Sequence, residues 1–145
     1  MSLTGTYHRT VDEKQRLTVP KKLKEELLKE SENSAYIAPE TECSLTLYSP
    51  REFDLRAGRL IDLATQRSEV KNYQRLYFSQ AEHVEIDSQG RIRLPERLME
   101  FAGIQQEVVL LGVHDHIEIW DRALWQQFLD QHTEGFDAMS AAAFG

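Results

Sequence analysis

Two five-residue stretches hold the side chains best suited to chemistry. Asp12-Glu-Lys-Gln-Arg16 and Asp87-Ser-Gln-Gly-Arg91 each set a carboxylate and a guanidinium four positions apart. Across a turn, that spacing allows two arrangements. In one, the carboxylate accepts backbone N–H bonds and fixes the loop. The arginine then leaves the strand in a defined direction, and its planar fork suits a phosphate or a guanine edge. In the other, the two charges pair and only stabilise the loop. Both stay open for each aspartate. The outward arrangement is favoured for Arg16, which has Lys14 beside it, over Arg91, where Glu85, Glu96 and Glu100 crowd the copy despite Arg93.

Other residues suggest chemistry less directly. His114 and His116 have the H-x-H spacing of some metal sites and are expected to share one strand face, continued by Glu118. A satisfied or exposed pair of strand histidines is the commoner case, and no second cluster supplies further ligands. Cys43 lies among strand-like residues and is expected to be a small buried hydrophobe rather than a nucleophile. Trp120, Trp125, Phe128 and Tyr48 could stack on bases, but their spacing indicates core or subunit contact. The chain has no G-x-x-x-x-G-K, G-x-S-x-G or H-E-x-x-H pattern, so nothing visible carries catalysis.

The elements that position the two motifs are themselves repeated. VDEKQRLTVPKKL, from Val11 to Leu23, recurs as IDSQGRIRLPERL, from Ile86 to Leu98, 75 positions later. Each copy reads as strand, turn, strand, short helix, strand, strand, helix. The first strand is expected at Tyr7–Val11, the turn at Asp12–Gln15 and a half-buried strand at Arg16–Val19. Pro20 and Pro95 stop that strand and preset φ for a first helical turn. The helix after Leu23 should run to about Glu30, with Lys21–Glu25 and Lys22–Glu26 pairing on its solvated face. Strands follow at Ala35–Pro39 and Leu45–Tyr48, matched by Val108–Val113 and Ile117–Trp120. Ser49 and Glu52 have capping-box spacing ahead of a helix burying Phe53, Ala57, Leu60 and Ala64. A helical segment at roughly 69–80 links the halves. The last helix follows Asp121 and should bury Leu124, Trp125, Phe128 and Leu129. From Thr133 onward the Ala/Gly/Ser-rich tail shows little pattern and is expected to be disordered or ordered only by a crystal lattice.

The chain has 145 residues, 41 % hydrophobic and 28 % charged, ordinary for a globular protein. No apolar run is long enough to span a bilayer, no signal-peptide core opens the chain, and a lone cysteine fits a reducing cytoplasm. The net charge of −7 argues at first sight against a polyanionic partner. Its distribution reverses that. Residues 1–24 hold Arg9, Lys14, Arg16, Lys21, Lys22 and Lys24 against Asp12 and Glu13, whereas residues 82–145 hold four basic and twelve acidic residues. Local field decides what docks at a surface.

With both D-x-x-x-R motifs, the following L-x-V-P and I-x-L-P steps, and Trp120-Asp121 before the final helix, the chain resembles the MraZ family over roughly residues 5–132. The resemblance implies an α+β fold: a pseudo-two-fold pair of interlocked AbrB-like (SpoVT-AbrB) β-barrel halves with flanking helices. The halves would span 5–53 and 82–132, joined by linking helices at 54–81 and followed by a tail at 133–145. It also implies a ring-shaped homo-oligomer acting as a sequence-specific regulator, usually a repressor, of its own division and cell-wall gene cluster. The partner would be double-stranded promoter DNA carrying short direct repeats, met in the cytoplasm at the nucleoid. No cofactor, membrane or small-molecule substrate is implied. DNA contacts are expected from Arg16, Lys14, Gln15, Arg9, Arg91 and Arg93, with Asp12 and Asp87 structuring the loops. The family commonly has Gly before the motif arginine, as at Gly90, whereas Gln15 stands in the first copy. If that position needs φ > 0, Gln15 is strained by roughly 1 kcal/mol or more. Two other function classes remain: a ring-forming protein-interaction scaffold docking through its acidic half, and a metal-dependent enzyme built on His114 and His116. Salt-sensitive binding to promoter DNA separates the first from the regulator; a bound-metal assay settles the second. Surplus apolar residues at Tyr73, Leu76, Tyr77 and Phe78 point to a subunit interface.

Overall fold

The structure, a computed structural model, describes residues 2–30 and 33–145. It is a mixed α+β fold in which antiparallel strands carry helices on the outside. The first copy of the repeat gives β1 (Thr6–Thr10), β2 (Arg16–Thr18), α1 (Lys21–Leu27), β3 (Ser34–Glu40), β4 (Ser44–Tyr48) and α2 (Pro50–Gln66). After α3 (Val70–Gln80), the second copy gives β5 (Glu82–Glu85), β6 (Arg91–Arg93), α4 (Glu96–Phe101), β7 (Glu107–Gly112), β8 (Ile117–Asp121) and α5 (Arg122–His132). A 3₁₀ turn at Thr133–Gly135 leads into α6 (Phe136–Phe144).

Six strands form one sheet in the order β1-β7-β8-β4-β3-β5, and β2 pairs with β6 in a separate two-stranded ribbon. Exchanging the copies leaves that order unchanged when read from the other end. Each copy's opening strand pairs with the other copy's third strand: Arg9 lies opposite Val108, and Tyr36 opposite His83. The central partnership is β4 with β8, in the register Leu45↔Ile119 and Leu47↔Ile117.

The core follows from strand alternation. Leu17, Leu45, Leu47, Ile92, Ile117 and Ile119 are essentially inaccessible and belong to one cluster drawn from both copies. Full burial of one such side chain is worth about 1.5–3 kcal/mol. A second cluster joins α2 and α3 to the sheet through Ala38, Tyr48, Phe53, Leu60 and Tyr77, with Tyr36 and Phe53 stacked at 4.4 Å. A third packs α5 on the sheet through Val109, Leu111 and Trp120, against which Leu124, Trp125 and Phe128 lie.

Several expectations need correction. Pro20 and Pro95 have extended ψ values of 140° and 137°, so each stands just before its helix rather than in the first turn. Helix α1 ends at Leu27. Its Glu26 pairs with Lys29 at 2.9 Å, and no ion pair joins Lys21 to Glu25 or Lys22 to Glu26 among the described residues. Cys43 is exposed in the β3–β4 turn, because both it and Glu42 take left-handed φ to reverse the chain. Ser49 does cap α2, its Oγ accepting from Glu52 N at 3.2 Å, but Ala57 is only half-buried. Leu124, Trp125, Phe128 and Leu129 are also half-buried, since α5 covers the sheet from outside with little above it. The tail from Thr133 is helical, not patternless. Its Ala, Met and Phe residues suit a helix, and Asp137 stands in the first turn of α6 near the positive end of the helix dipole.

Candidate nucleic-acid interface

The β2–β6 ribbon and its two approach turns bring most of the expected residues together. At Asp12 the carboxylate does two jobs at once. Its Oδ1 accepts from the backbone N of Lys14 at 2.9 Å and of Arg16 at 2.8 Å, and its Oδ2 accepts from Arg16 Nε at 2.8 Å. Asp87 repeats the pattern: Gln89 N and Arg91 N donate to Oδ1, and Arg91 Nε donates to Oδ2, all at 2.9 Å. The two arrangements allowed by the motif therefore coexist. The arginine is tethered through Nε, and the terminal amino groups of Arg16 and Arg91 make no hydrogen bond among the described residues. The backbone bonds to Arg16 and Arg91 are the main cause holding the Asp12 and Asp87 carboxyls below their ordinary range; the side-chain bonds to the same arginines reinforce them against partial desolvation.

The backbone closes both turns alike. Gln15 N donates to Asp12 O at 3.0 Å and Gly90 N to Asp87 O at 2.9 Å. Gln15 has φ +63° and Gly90 +79°, so the position requires left-handed backbone in both copies. Gln15 accepts that strain without altering the loop that aims Arg16. Beyond the turns the strands cross-brace each other, with Val19 N donating to Gly90 O and Leu94 N to Gln15 O, both at 2.8 Å.

In the ribbon, Arg16 lies opposite Arg93, Leu17 opposite Ile92 and Thr18 opposite Arg91. Leu17 and Ile92 are buried and pin the ribbon to the core, so Arg16, Thr18, Arg91 and Arg93 alternate to the opposite face. A two-stranded antiparallel ribbon is one of the shapes that fit the major groove of DNA.

Lys14 and Gln15 sit in the first turn, with the Lys14 side chain exposed. Arg9 does not join the ribbon. It lies on β1 in the large sheet and donates from Nη1 to its neighbour's His8 carbonyl at 2.8 Å. Sequence reasoning missed Thr18 and took Lys24 only as one of three lysines on a mostly solvated helix face. Thr18 shares the outward face, a position that its period-2 spacing from Arg16 could have revealed. Lys24 on α1 leans on the other copy's turn: a Cβ added to Gly90 would meet its Cδ at 3.5 Å and its Nζ at 3.6 Å. The second motif thus borrows a cation from the first copy. Arg93 borders a groove lined by Glu82, Glu85, Glu96 and Glu100, which leaves one flank of the ribbon acidic.

The two histidines are not brought together as the H-x-H spacing suggested. His114 has φ +68° in the β7–β8 turn, so the two rings do not share a strand face. His116 bridges Asp115 at 2.7 Å and Glu118 at 3.2 Å. Among the described residues, no group of three or more His, Cys, Asp or Glu could hold a metal ion, and no helix is long and apolar enough to cross a membrane.

Comparison with known proteins gives a consistent neighbourhood. Residues 77–145 match a family model described as "MraZ protein, putative antitoxin-like". The chain is 31 % identical to "Transcriptional regulator MraZ" of Mycoplasmoides gallisepticum, across 94 % of this chain and 93 % of that protein. It is 34 % identical to the protein of the same name from Methylococcus capsulatus, across 90 % and 89 %. To that from Mesoplasma florum it is 28 % identical, across 99 % and 97 %.

Proposed function

The chain belongs to the MraZ family, and from that premise we propose that it is a transcriptional regulator that binds double-stranded DNA through the β2–β6 ribbon. The relatives' name supports regulation of transcription as the role. One observation carries the contact surface: two arginines, Arg16 and Arg91, are each oriented by an aspartate and emerge on one face of a ribbon beside Arg93. Lys14 and Gln15 flank the first arginine, Lys24 the second, and Arg9 stands further off as a phosphate contact. A small basic face on an acidic chain suffices if several copies act together, because linking weak sites raises their effective concentration. The reading therefore includes a ring-shaped homo-oligomer that spans short direct repeats upstream of its own gene cluster, acting at the nucleoid, most naturally as a repressor. It also takes residues 5–53 and 82–132 as interlocked AbrB-like half-domains. The strand order, identical from either end, supports that division.

The test is a titration of DNA from upstream of the protein's own gene at fixed salt. Arg16→Ala and Arg91→Ala should each lose about 5- to 150-fold in specific affinity per subunit contact, the equivalent of roughly 1–3 kcal/mol. Thermal melting and oligomer size should be retained, since both side chains are exposed enough to contribute little to the core. Parent-like binding by both variants would return the arginines to a purely internal role, and a parent that shows no salt-sensitive binding would leave the scaffold reading standing.

A further inference from the structure

The ribbon is built symmetrically but finished asymmetrically. Within the repeat, Arg16 corresponds to Arg91 and Leu17 to Ile92, but Thr18 corresponds to Arg93. The register Leu17↔Ile92 places the pseudo-dyad at the ribbon's centre, so it exchanges Arg16 with Arg91 and Thr18 with Arg93. Arg16 and Arg91 are held by the same three hydrogen bonds from equivalent aspartates. Chemically equal at both ends, they cannot tell one direction along a duplex from the other.

Thr18 and Arg93 can. Both are exposed on the outward face, and Arg93 forms no hydrogen bond or ion pair among the described residues. We propose that Thr18 and Arg93 determine specificity, with Arg93 selecting guanine at one end of the ribbon and Thr18 selecting thymine at the other. The protein then reads a non-palindromic site in a single orientation. This rests on the DNA-binding function proposed above.

The chemistry is direct. A guanidinium fork satisfies O6 and N7 of guanine together, whereas a threonine methyl packs on the thymine C5-methyl. Residues two apart on a strand lie about 6.6–6.8 Å apart, close to two base steps at about 3.4 Å each. Arg16 and Thr18, or Arg91 and Arg93, can therefore address bases in one groove. Within the ribbon the pairing sets Arg16 beside Arg93, two arginines at one end, and Arg91 beside Thr18, one arginine at the other.

The experiment selects from a pool of randomised duplexes with the full-length parent, Thr18→Arg, Arg93→Thr and Arg93→Lys. The parent should enrich an asymmetric site. Thr18→Arg should convert the thymine end to guanine and make the enriched site palindromic, with preference at that base moving about 5- to 150-fold. Arg93→Thr should make it palindromic in the opposite sense. Arg93→Lys should keep overall affinity but weaken guanine discrimination, because lysine reaches O6 and N7 without the planar fork. If the parent enriches a site and all three variants enrich the same one, the specificity assignment is overturned while DNA binding stands. The assignment is equally overturned if Arg93→Thr weakens every sequence to the same extent, as loss of a phosphate contact would. If the parent enriches nothing, both readings fall.

Discussion

Gln15 pays for the first motif in backbone strain. Its φ of +63° is a conformation that glycine adopts freely, as Gly90 does at the matching position. Gln15→Gly should therefore stabilise the protein by about 1 kcal/mol, raising the melting temperature by roughly 3 °C, while any loss of DNA affinity would measure the contact made by the Gln15 side chain itself. A lower melting temperature would mean that the Gln15 side chain contributes more than its strain costs. His116 offers a second test. Burial works against its protonation, but hydrogen bonds to Glu118 and Asp115 outweigh that and raise its pKa above the ordinary 6.5. Its contribution to stability is complete below about pH 6.5 and is lost as pH rises through the elevated value. An NMR titration should place the His116 midpoint above 6.5 and show it falling in Glu118→Gln; an unchanged midpoint would refute the bridge. At this scale the sequence was legible in part. Spacing identified both aspartates and arginines but left open whether they faced inward or outward, and hydrogen bonding through Nε alone allows both. Lys24 was not legible, because its contact crosses between copies and no pattern within one copy reveals it.

At the scale of elements, alternation and the two prolines located the ribbon strands to within a residue, since a half-buried strand must repeat every two positions. Leu17 shows what the alternation secures. It is wholly buried opposite Ile92, and Leu17→Ala should destabilise the fold by about 2–5 kcal/mol. Chemical denaturation measures that loss; a change below about 1 kcal/mol would mean that the ribbon is anchored elsewhere. Reading failed where turns depend on backbone sign rather than composition. Glu42, Cys43 and His114 all take positive φ without a glycine to announce it, and so Cys43 was expected inside and the histidines on a strand. The tail failed for a different reason: its amphipathic signal is weak, and α6 buries none of its residues.

The whole molecule leaves apolar surface uncovered. Tyr77 and Phe78 pack within the chain, as half of the expected surplus, but Tyr73 is 44 %, Leu76 66 % and Phe101 46 % exposed around a shared groove. Patches of this kind mark interfaces. Leu76→Glu should weaken self-association, seen by light scattering as a smaller mass than the parent's across micromolar concentrations. A parent that is already a monomer, or a variant with the parent's mass, would remove this face from the assembly. The pairing of each opening strand with the other copy's third strand was not legible in either copy alone, because it is a property of the pair. Only the repeat, seen as two copies closing on each other, pointed toward it.

That exchange of strands also sets a timetable for synthesis. The sheet partner of β1 is β7, and Thr10 lies opposite Glu107, so the partner leaves the ribosome roughly a hundred residues after β1 does. At about 5–20 residues per second, β1 waits on the order of 5–20 s with its edge unmatched. Until then β1 has no sheet partner in the nascent chain, so the sheet closes only once the second copy has been made.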